Sequence, residues 1–328
     1  MSDTQSLPSA VRALAEADFS AVANSFTTAG FQVGQPADGI LTIRSKQPGR
    51  PAVLVSVGVH GDETGPIELV AYLLDALAQE PQALQVDLML CVGNIGAIRE
   101  GKRFIDADLN RMFRPVRGTL AGTAEAARAD VMIAATSAFF AGAGKERWHL
   151  DLHTAIRPSF YPNFAIVPDL IEERAKHELI SWMGEAGIGA IIMNPESVGT
   201  YSYYSAEHHA AAGTTVELGR IGVLGQNDLS QFDDARRALD RLLRGATPLA
   251  AVTEPHVYKV ARNIIKRSDA FTMAFGRDTQ NFTPLSKGAE IARDGDEVHR
   301  VEHDEELVVF PNPDVRIGLR AALMVTRA

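Results

Sequence analysis

Val53-Leu54-Val55-Ser56-Val57-Gly58-Val59-His60-Gly61-Asp62-Glu63-Thr64 is the stretch from which the fold is read. A Val-rich apolar run of strand type stops abruptly at His60, Gly61, Asp62 and Glu63. A helical pattern follows, with Leu69, Leu73, Leu74 and Leu77 on one face. A buried strand feeding a helix is the repeating unit of an α/β protein. In open α/β sheets, ligands bind where strands stop and helices begin. A His and a carboxylate three residues apart can hold one Zn²⁺ if the turn brings both side chains to the same side. The pair by itself is weak evidence and reads first as a polar loop with two solvated residues; the rest of the chain changes that reading.

Upstream, Val11, Leu14, Ala15, Phe19 and Val22 recur at helical spacing and predict one N-terminal helix. Residues 39–43 read as a strand, followed by a turn containing Pro48, Gly49 and Pro51. Downstream, residues 88–92 form the next strand and end in Gly93-Asn94. Residues 94–117 then concentrate Arg99, Lys102, Arg103, Arg111, Arg114 and Arg117 against Glu100, Asp106 and Asp108, with no clear period. Long ordered loops inside a domain are usually functional; the alternative is a solvated basic face. Residues 118–144 are Ala-rich and helical. Residues 148–154 form a second strand ending in a His, and alternation puts Asp151 and His153 on one face. A strand at 164–168, a helix over 172–186 and a strand at 190–193 continue the pattern. Residues 214–218 place Glu217 just before Gly219, and 229–243 read as a helix.

After Gly245 the texture changes. Short strand-like runs at 257–265, 271–275, 290–292 and 306–310 are separated by turns. They predict a smaller, mostly β domain, and hence a division into residues 1–247 and 248–328.

Three strand ends thus supply His60 with Glu63, then His153, then Glu217. Two His and one Glu make the ligand set of a catalytic Zn²⁺ site with a position left for water. Such a site lowers the pKa of its water to about 7. It still needs a carboxylate that is not a ligand to carry the proton to the leaving nitrogen, and Glu217 suits that role. Asp151 can buttress His153 or serve a structural hydrogen bond. Arg103 and Arg111 offer planar donor forks for carboxylates or an oxyanion, and Asn110 adds a neutral donor. His149 reads as structural. His208 and His209, in a polar stretch before the Glu217 strand, could line a pocket. Trp148 and Trp182 read as core.

Composition narrows the classes. The 328 residues suggest about two domains. A net charge of −9 argues against non-specific nucleic-acid binding, which needs a basic face. An anionic substrate must then be drawn in by a local basic cluster. Cys91 is the single cysteine, so no intramolecular disulfide can form, which fits a reducing cytosol. No signal peptide is expected near the N-terminus, and no apolar run approaches the ~18–20 residues of a membrane span.

Val57-Gly58-Val59-His60-Gly61-Asp62-Glu63-Thr64, the run from Arg103 through Asn110-Arg111-Met112-Phe113, Asp151-Leu152-His153-Thr154 and Val216-Glu217-Leu218-Gly219 together resemble the aspartoacylase/succinylglutamate desuccinylase family. That family is related in fold to zinc carboxypeptidases. The segment WHLDLHTAIR ending at Arg157, Gly225-Gln226-Asn227-Asp228-Leu229, Asp278-Thr279-Gln280-Asn281-Phe282 and Phe310-Pro311-Asn312-Pro313 look like its desuccinylase branch. The resemblance covers the chain from about residue 50 onward. It implies an α/β, zinc-carboxypeptidase-like mixed sheet flanked by helices, with a smaller mostly-β C-terminal domain at the active-site mouth. It implies one Zn²⁺ on His60, Glu63 and His153, Glu217 as the base, Arg103 polarising the scissile carbonyl, and Asn110 with Arg111 holding a substrate carboxylate.

The reaction implied is hydrolysis of N2-succinyl-L-glutamate to succinate and L-glutamate, the last step of the arginine succinyltransferase route, in the bacterial cytoplasm. That substrate has three carboxylates, and burying three anions calls for several cationic donors. Arg157 is a candidate for one more, or else a surface residue. One departure stands out. Relatives such as aspartoacylase place an arginine about ten residues before the catalytic Glu, where this chain has Glu207-His208-His209. The alternatives are a different N-acyl-amino-acid deacylase of the N-acetylaspartate or N-acetylglutamate type, a metallocarboxypeptidase acting on peptides, and an inactive zinc- or anion-binding protein. Pocket volume and the number of anion contacts separate the first of these. The sequence leaves oligomeric state open, and a homo-oligomer is compatible with it.

Overall fold

A computed structural model of the chain describes residues 7–276 and 278–328. The strands are β1 (Gln32–Ala37), β2 (Ile40–Arg44), β3 (Ala52–Val57), β4 (Asp87–Val92), β5 (Arg147–Ala155), β6 (Asn163–Pro168), β7 (Ala190–Asn194) and β8 (Ala212–Arg220). Beyond them lie β9 (His256–Ile265), β10 (Phe271–Met273), β11 (Thr283–Ser286), β12 (Glu290–Asp294), β13 (Glu297–Arg300), β14 (Glu305–Val309) and β15 (Arg320–Arg327). The helices are α1 (Ser9–Ala15), α2 (Ser20–Thr28), α3 (Gly65–Gln79), α4 (Ile95–Glu100), α5 (Ala124–Ala141), α6 (Glu173–Glu185), α7 (Tyr201–His209) and α8 (Asp233–Leu243).

Twelve strands form one mixed sheet in the order β1-β2-β4-β3-β5-β8-β6-β7-β9-β15-β14-β11. β3 is an interior strand, parallel to both its neighbours β4 and β5. Every residue of β3 is buried. Val53, Val55 and Val57 enter a core shared with Leu69, Leu73 and Leu77 of α3, whereas Ala52 and Leu54 face a second core with Met132 and Phe139 of α5. Helices on both faces are why this strand reads as an unbroken apolar run and not as an alternation. β9 pairs in parallel with β7, so the C-terminal strands β9, β15, β14 and β11 extend the same sheet. β10, β12 and β13 make a separate three-stranded sheet over a core that includes Ile264, Phe271, Ile291 and Met324. The mixed α/β sheet and the β-rich C-terminal part agree with the fold expected from the sequence.

Some local expectations are corrected. The single N-terminal helix is two: the chain breaks at residues 16–19, where Ala17 takes a positive φ of 61°. Asp18 restarts the helix by accepting the Ser20 backbone N–H at 2.9 Å. The loop after β4 begins as the short helix α4, whose Asn94 cap accepts from the Ala97 N–H. Helix α7 and strands β1, β11, β13 and β15 are additional to the elements expected.

Candidate metal centre and active site

Because β3, β5 and β8 run parallel, their C-terminal ends lie along one edge of the sheet. Register then aligns the chemistry. Ser56 of β3 pairs with Asp151 of β5, and His153 of β5 pairs directly with Glu217 of β8. The turn after β3 is held close to the arginine-rich loop: Gly61 donates its N–H to the Arg103 carbonyl at 3.1 Å. A Cβ on Gly61 would fall onto the backbone of Ala97 and Ile98, so only glycine lets α4 pack this tightly.

Glu63 is the hub of the cluster. Its Oε1 lies 2.9 Å from His60 Nδ1 and accepts from an Arg103 Nη at 2.7 Å. Its Oε2 lies 2.8 Å from His153 Nδ1 and accepts the Thr154 N–H at 3.1 Å. Both imidazoles therefore turn Nδ1 inward, and each has its Nε2 on another carboxylate: Asp108 Oδ1 at 2.9 Å for His60 and Asp151 Oδ2 at 3.0 Å for His153. Asp151 also accepts from the Ser56 hydroxyl at 2.5 Å, and Ser56 reaches His149 Nε2 at 2.9 Å. The Asp residues fix ring orientation and tautomer, as partners of metal-binding histidines do.

The charges of the cluster favour a cation. Burial alone would pull both imidazoles down, but Glu63 with Asp108 raises His60, and Asp151 with Glu63 holds His153 well above its ordinary value. Burial would push the Glu63 carboxyl up, yet His60 and His153 hold it well below the carboxylate range. The carboxylates thus favour positive charge between the rings. A divalent ion meets the same demand and displaces protons from its ligands. His60, Glu63 and His153 offer ligand atoms all within 4.8 Å of one another, and all three residues are buried. The donor set fits a cation such as Zn²⁺.

Glu217 behaves differently. Burial first, then the neighbouring Glu63 charge, pushes its carboxyl up to about 7. Its Oε2 is buried and has no hydrogen-bond partner among the described residues. An unsatisfied buried carboxylate oxygen is expensive unless a water or substrate is to meet it. These groups open into a cavity of about 520 Å³, within the range that holds small-molecule ligands. Its walls include Arg103, Asn110, Arg111, Arg157 and Glu217, together with Arg316 and Arg320 from the C-terminal part.

Among the described residues 49–243, the sequence matches the model of the succinylglutamate desuccinylase/aspartoacylase catalytic domain, and residues 253–328 match that of the AstE/AspA barrel-sandwich hybrid domain. The chain belongs to the succinylglutamate desuccinylase/aspartoacylase family. It is 43% identical to the succinylglutamate desuccinylase of Burkholderia lata over 88% of this chain and 84% of that one. The structure is similar to succinylglutamate desuccinylases from Vibrio parahaemolyticus (TM-score 0.84, 31% identity, 91% of this chain and 88% of that one) and Vibrio cholerae (TM-score 0.84, 30% identity, 94% of each).

His60, Glu63, Arg103, Asn110, Arg111, His153, Arg157 and Glu217 all line one cavity. Arg103 lies against the ligand set, its second Nη 3.2 Å from His60 Nε2. Asn110 is tied down: its Oδ1 accepts the Tyr201 N–H at 2.9 Å and its Nδ2 lies 3.5 Å from His153 Nε2. His208 is exposed and stacks on Tyr204, and His209 meets Ser137, so neither lines the cavity. Helix α7, which carries Glu207-His208-His209, instead contributes Ser202 and Tyr203 to the wall. Sequence reasoning missed Asp108 as the partner of His60, Glu125, and the C-terminal arginines. Buried Glu125 accepts backbone N–H groups of Ile105, Asp106 and Ala107 and the Asn94 amide, which pins the arginine loop. An acidic residue in the first turn of an Ala-rich helix was the only available signal for it.

Proposed function

We propose that the chain hydrolyses N2-succinyl-L-glutamate to succinate and L-glutamate, using a Zn²⁺ ion held by His60, Glu63 and His153. The observation that carries this reading is a cavity rich in guanidinium groups set over a buried His-Glu-His cluster, in a chain whose net charge is −9. A substrate with three carboxylates needs such a local concentration of cations. A cation bound there would supply Lewis acidity and an acidified water.

The residues of the chain do the rest. Glu217, whose Oε2 has no hydrogen-bond partner among the described residues and which pairs with His153 across the strands, takes a proton from the attacking water and delivers it to the amide nitrogen as the C–N bond breaks and the C–O bond forms. Its raised pKa suits a group that must both accept and return a proton near neutrality. Arg103, lying at the ligand set, faces the scissile carbonyl and stabilises its developing oxyanion. Asn110 and Arg111 orient a substrate carboxylate, and Arg157 is assigned to a further one. Asp108 and Asp151 keep the two imidazoles aimed.

The product pair fits the last step of the arginine succinyltransferase route in the cytoplasm, a location that the single, buried Cys91 supports. Among the described residues no helix is long and apolar enough to cross a membrane. We divide the chain into a catalytic unit of residues 1–247 and a β unit of residues 248–328.

The test is kcat/KM of the zinc-loaded protein on N2-succinylglutamate, N-acetylglutamate, N-acetylaspartate and a dipeptide with a free C-terminus. Strong preference for N2-succinylglutamate is expected. Preference for an acetyl substrate would move the specificity to another deacylase, and preference for the dipeptide would make the protein a carboxypeptidase.

A further inference from the structure

Arg320 opens strand β15, in the C-terminal part of the chain, and yet it lines the cavity over the His-Glu-His cluster. Its strand pairs with β9 through Arg320 and Ile265, and the residues after it, Ala321 and Ala322, are buried. The backbone at Arg320 is therefore fixed by the sheet, not by a mobile loop.

Its surroundings are unusual for an arginine. Among the described residues it makes no ion pair within 4.0 Å; its one hydrogen bond goes to the Asn263 side-chain oxygen at 3.5 Å. The carboxylate nearest in influence is Asp108, which is already engaged with His60 and with the Asn110 N–H, each at 2.9 Å. The other charged group acting on Arg320 is Arg111, a second cation. Arg111 likewise has no ion pair among the described residues and donates to the Asn110 carbonyl at 2.6 Å. Burial, and then the Arg111 charge, push the Arg320 guanidinium down to about 9. Both guanidinium groups line the cavity, neither has an ion pair among the described residues, and the one carboxylate acting on Arg320, Asp108, is already engaged, so their mutual repulsion disfavours the protein without a bound anion. Such an arrangement is explained when an anion completes it, and planar forks of this kind match a carboxylate.

We propose that Arg320, acting with Arg111, is the residue through which the C-terminal part of the chain reads one carboxylate of the acyl-amino-acid substrate, and so sets specificity. The inference rests on the reaction proposed above, and it deepens that reading by naming a specificity contact on β15.

The experiment compares wild type, Arg320→Met and Arg320→Lys on N2-succinylglutamate and on three analogues, each lacking one carboxylate. These are N2-butyrylglutamate, N2-succinylglutamine and N2-succinylisoglutamine. Arg320→Met is expected to lower kcat/KM on the full substrate by about 10- to 100-fold, mainly through KM, as loss of a charge-assisted hydrogen bond does. On the one analogue that lacks the carboxylate read by Arg320, the loss should shrink to about twofold or less, since nothing remains to be read. Arg320→Lys should recover part of the loss. Melting temperature supplies an independent readout. Removing an unpaired cation should leave it unchanged or raise it, whereas a structural arginine would lower it.

An equal loss on all four substrates, or no loss on the full one, overturns the proposal. If Arg320→Met does not fold, the same comparison is made with Arg320→Lys alone. If wild type hydrolyses none of the four, the proposed reaction has failed, and the role of Arg320 is then read from stabilisation by glutarate. A melting shift in wild type that is lost in Arg320→Met supports the carboxylate contact, and equal shifts in both overturn it.

Discussion

Glu125→Gln isolates what holds the arginine loop in place. The carboxylate of Glu125 is 1% exposed. One oxygen accepts the Ile105 N–H at 2.7 Å and the Asn94 amide at 3.0 Å; the other accepts the N–H groups of Asp106 and Ala107 at 3.2 and 3.1 Å. A glutamine can keep its oxygen toward one pair. Its NH₂ group then faces the other pair, donor against donor. Two hydrogen bonds to a charged acceptor are lost, at about 1.5–3 kcal/mol each in isolation; with relaxation, a net loss of about 3 kcal/mol is reasonable. At about 1.4 kcal/mol per factor of ten, local opening of residues 105–107 becomes roughly 10²-fold more frequent. Hydrogen exchange of those amides, read by mass spectrometry, measures this directly. The same loop carries Arg103, Asp108, Asn110 and Arg111, so kcat/KM should fall by about tenfold or more, even though Glu125 touches no ligand. Unchanged exchange at 105–107, or fast exchange with full activity, would refute the view that Glu125 pins the active-site loop.

Two further predictions concern the groups behind the histidines. Asp151→Asn should weaken Zn²⁺ binding by about 10–100-fold in a chelator competition, because it removes the charged partner of His153; an unchanged affinity would leave Asp151 with a purely structural role. His149 is fully buried, and burial pushes its pKa down to about 4 from 6.5. With the folded value below the unfolded one, the unfolded chain takes up the proton first as pH falls. Wild type should therefore lose up to about 3 kcal/mol more than His149→Gln between pH 6.5 and 4. Parallel loss of unfolding free energy in denaturant titrations of the two proteins would contradict this.

The parts of the site legible in the sequence are those where an apolar strand ends in a polar residue. His60, His153 and Glu217 each stand at such an end, and parallel pairing brings ends together whatever the details of the loops. Register was not legible: nothing local says that His153 sits beside Glu217, or that Asp108, 48 residues from His60, lies on its ring. Helix α7 was hidden because Tyr201-Ser202-Tyr203-Tyr204-Ser205 lacks strong helix formers, and tertiary packing of Tyr201 against Phe113 overrides that weak propensity. The break between α1 and α2 was masked by apolar residues that keep helical spacing across it: Phe19, the residue that seemed to continue the face, is buried but non-helical. Arg320 was invisible for another reason. Its importance comes from β15 pairing with β9, a contact between strands far apart in the chain, and from its having no ion pair among the described residues.

The most direct test of the account is turnover of N2-succinylglutamate by Glu217→Gln, measured with bound zinc determined on the same sample. The substitution removes the base but none of the proposed ligands. One zinc per chain with turnover lower by about 10²- to 10⁴-fold is predicted. Full zinc with wild-type turnover would remove Glu217 from the chemistry, and loss of zinc would show that Glu217 is a ligand and that the His60, Glu63 and His153 assignment is wrong.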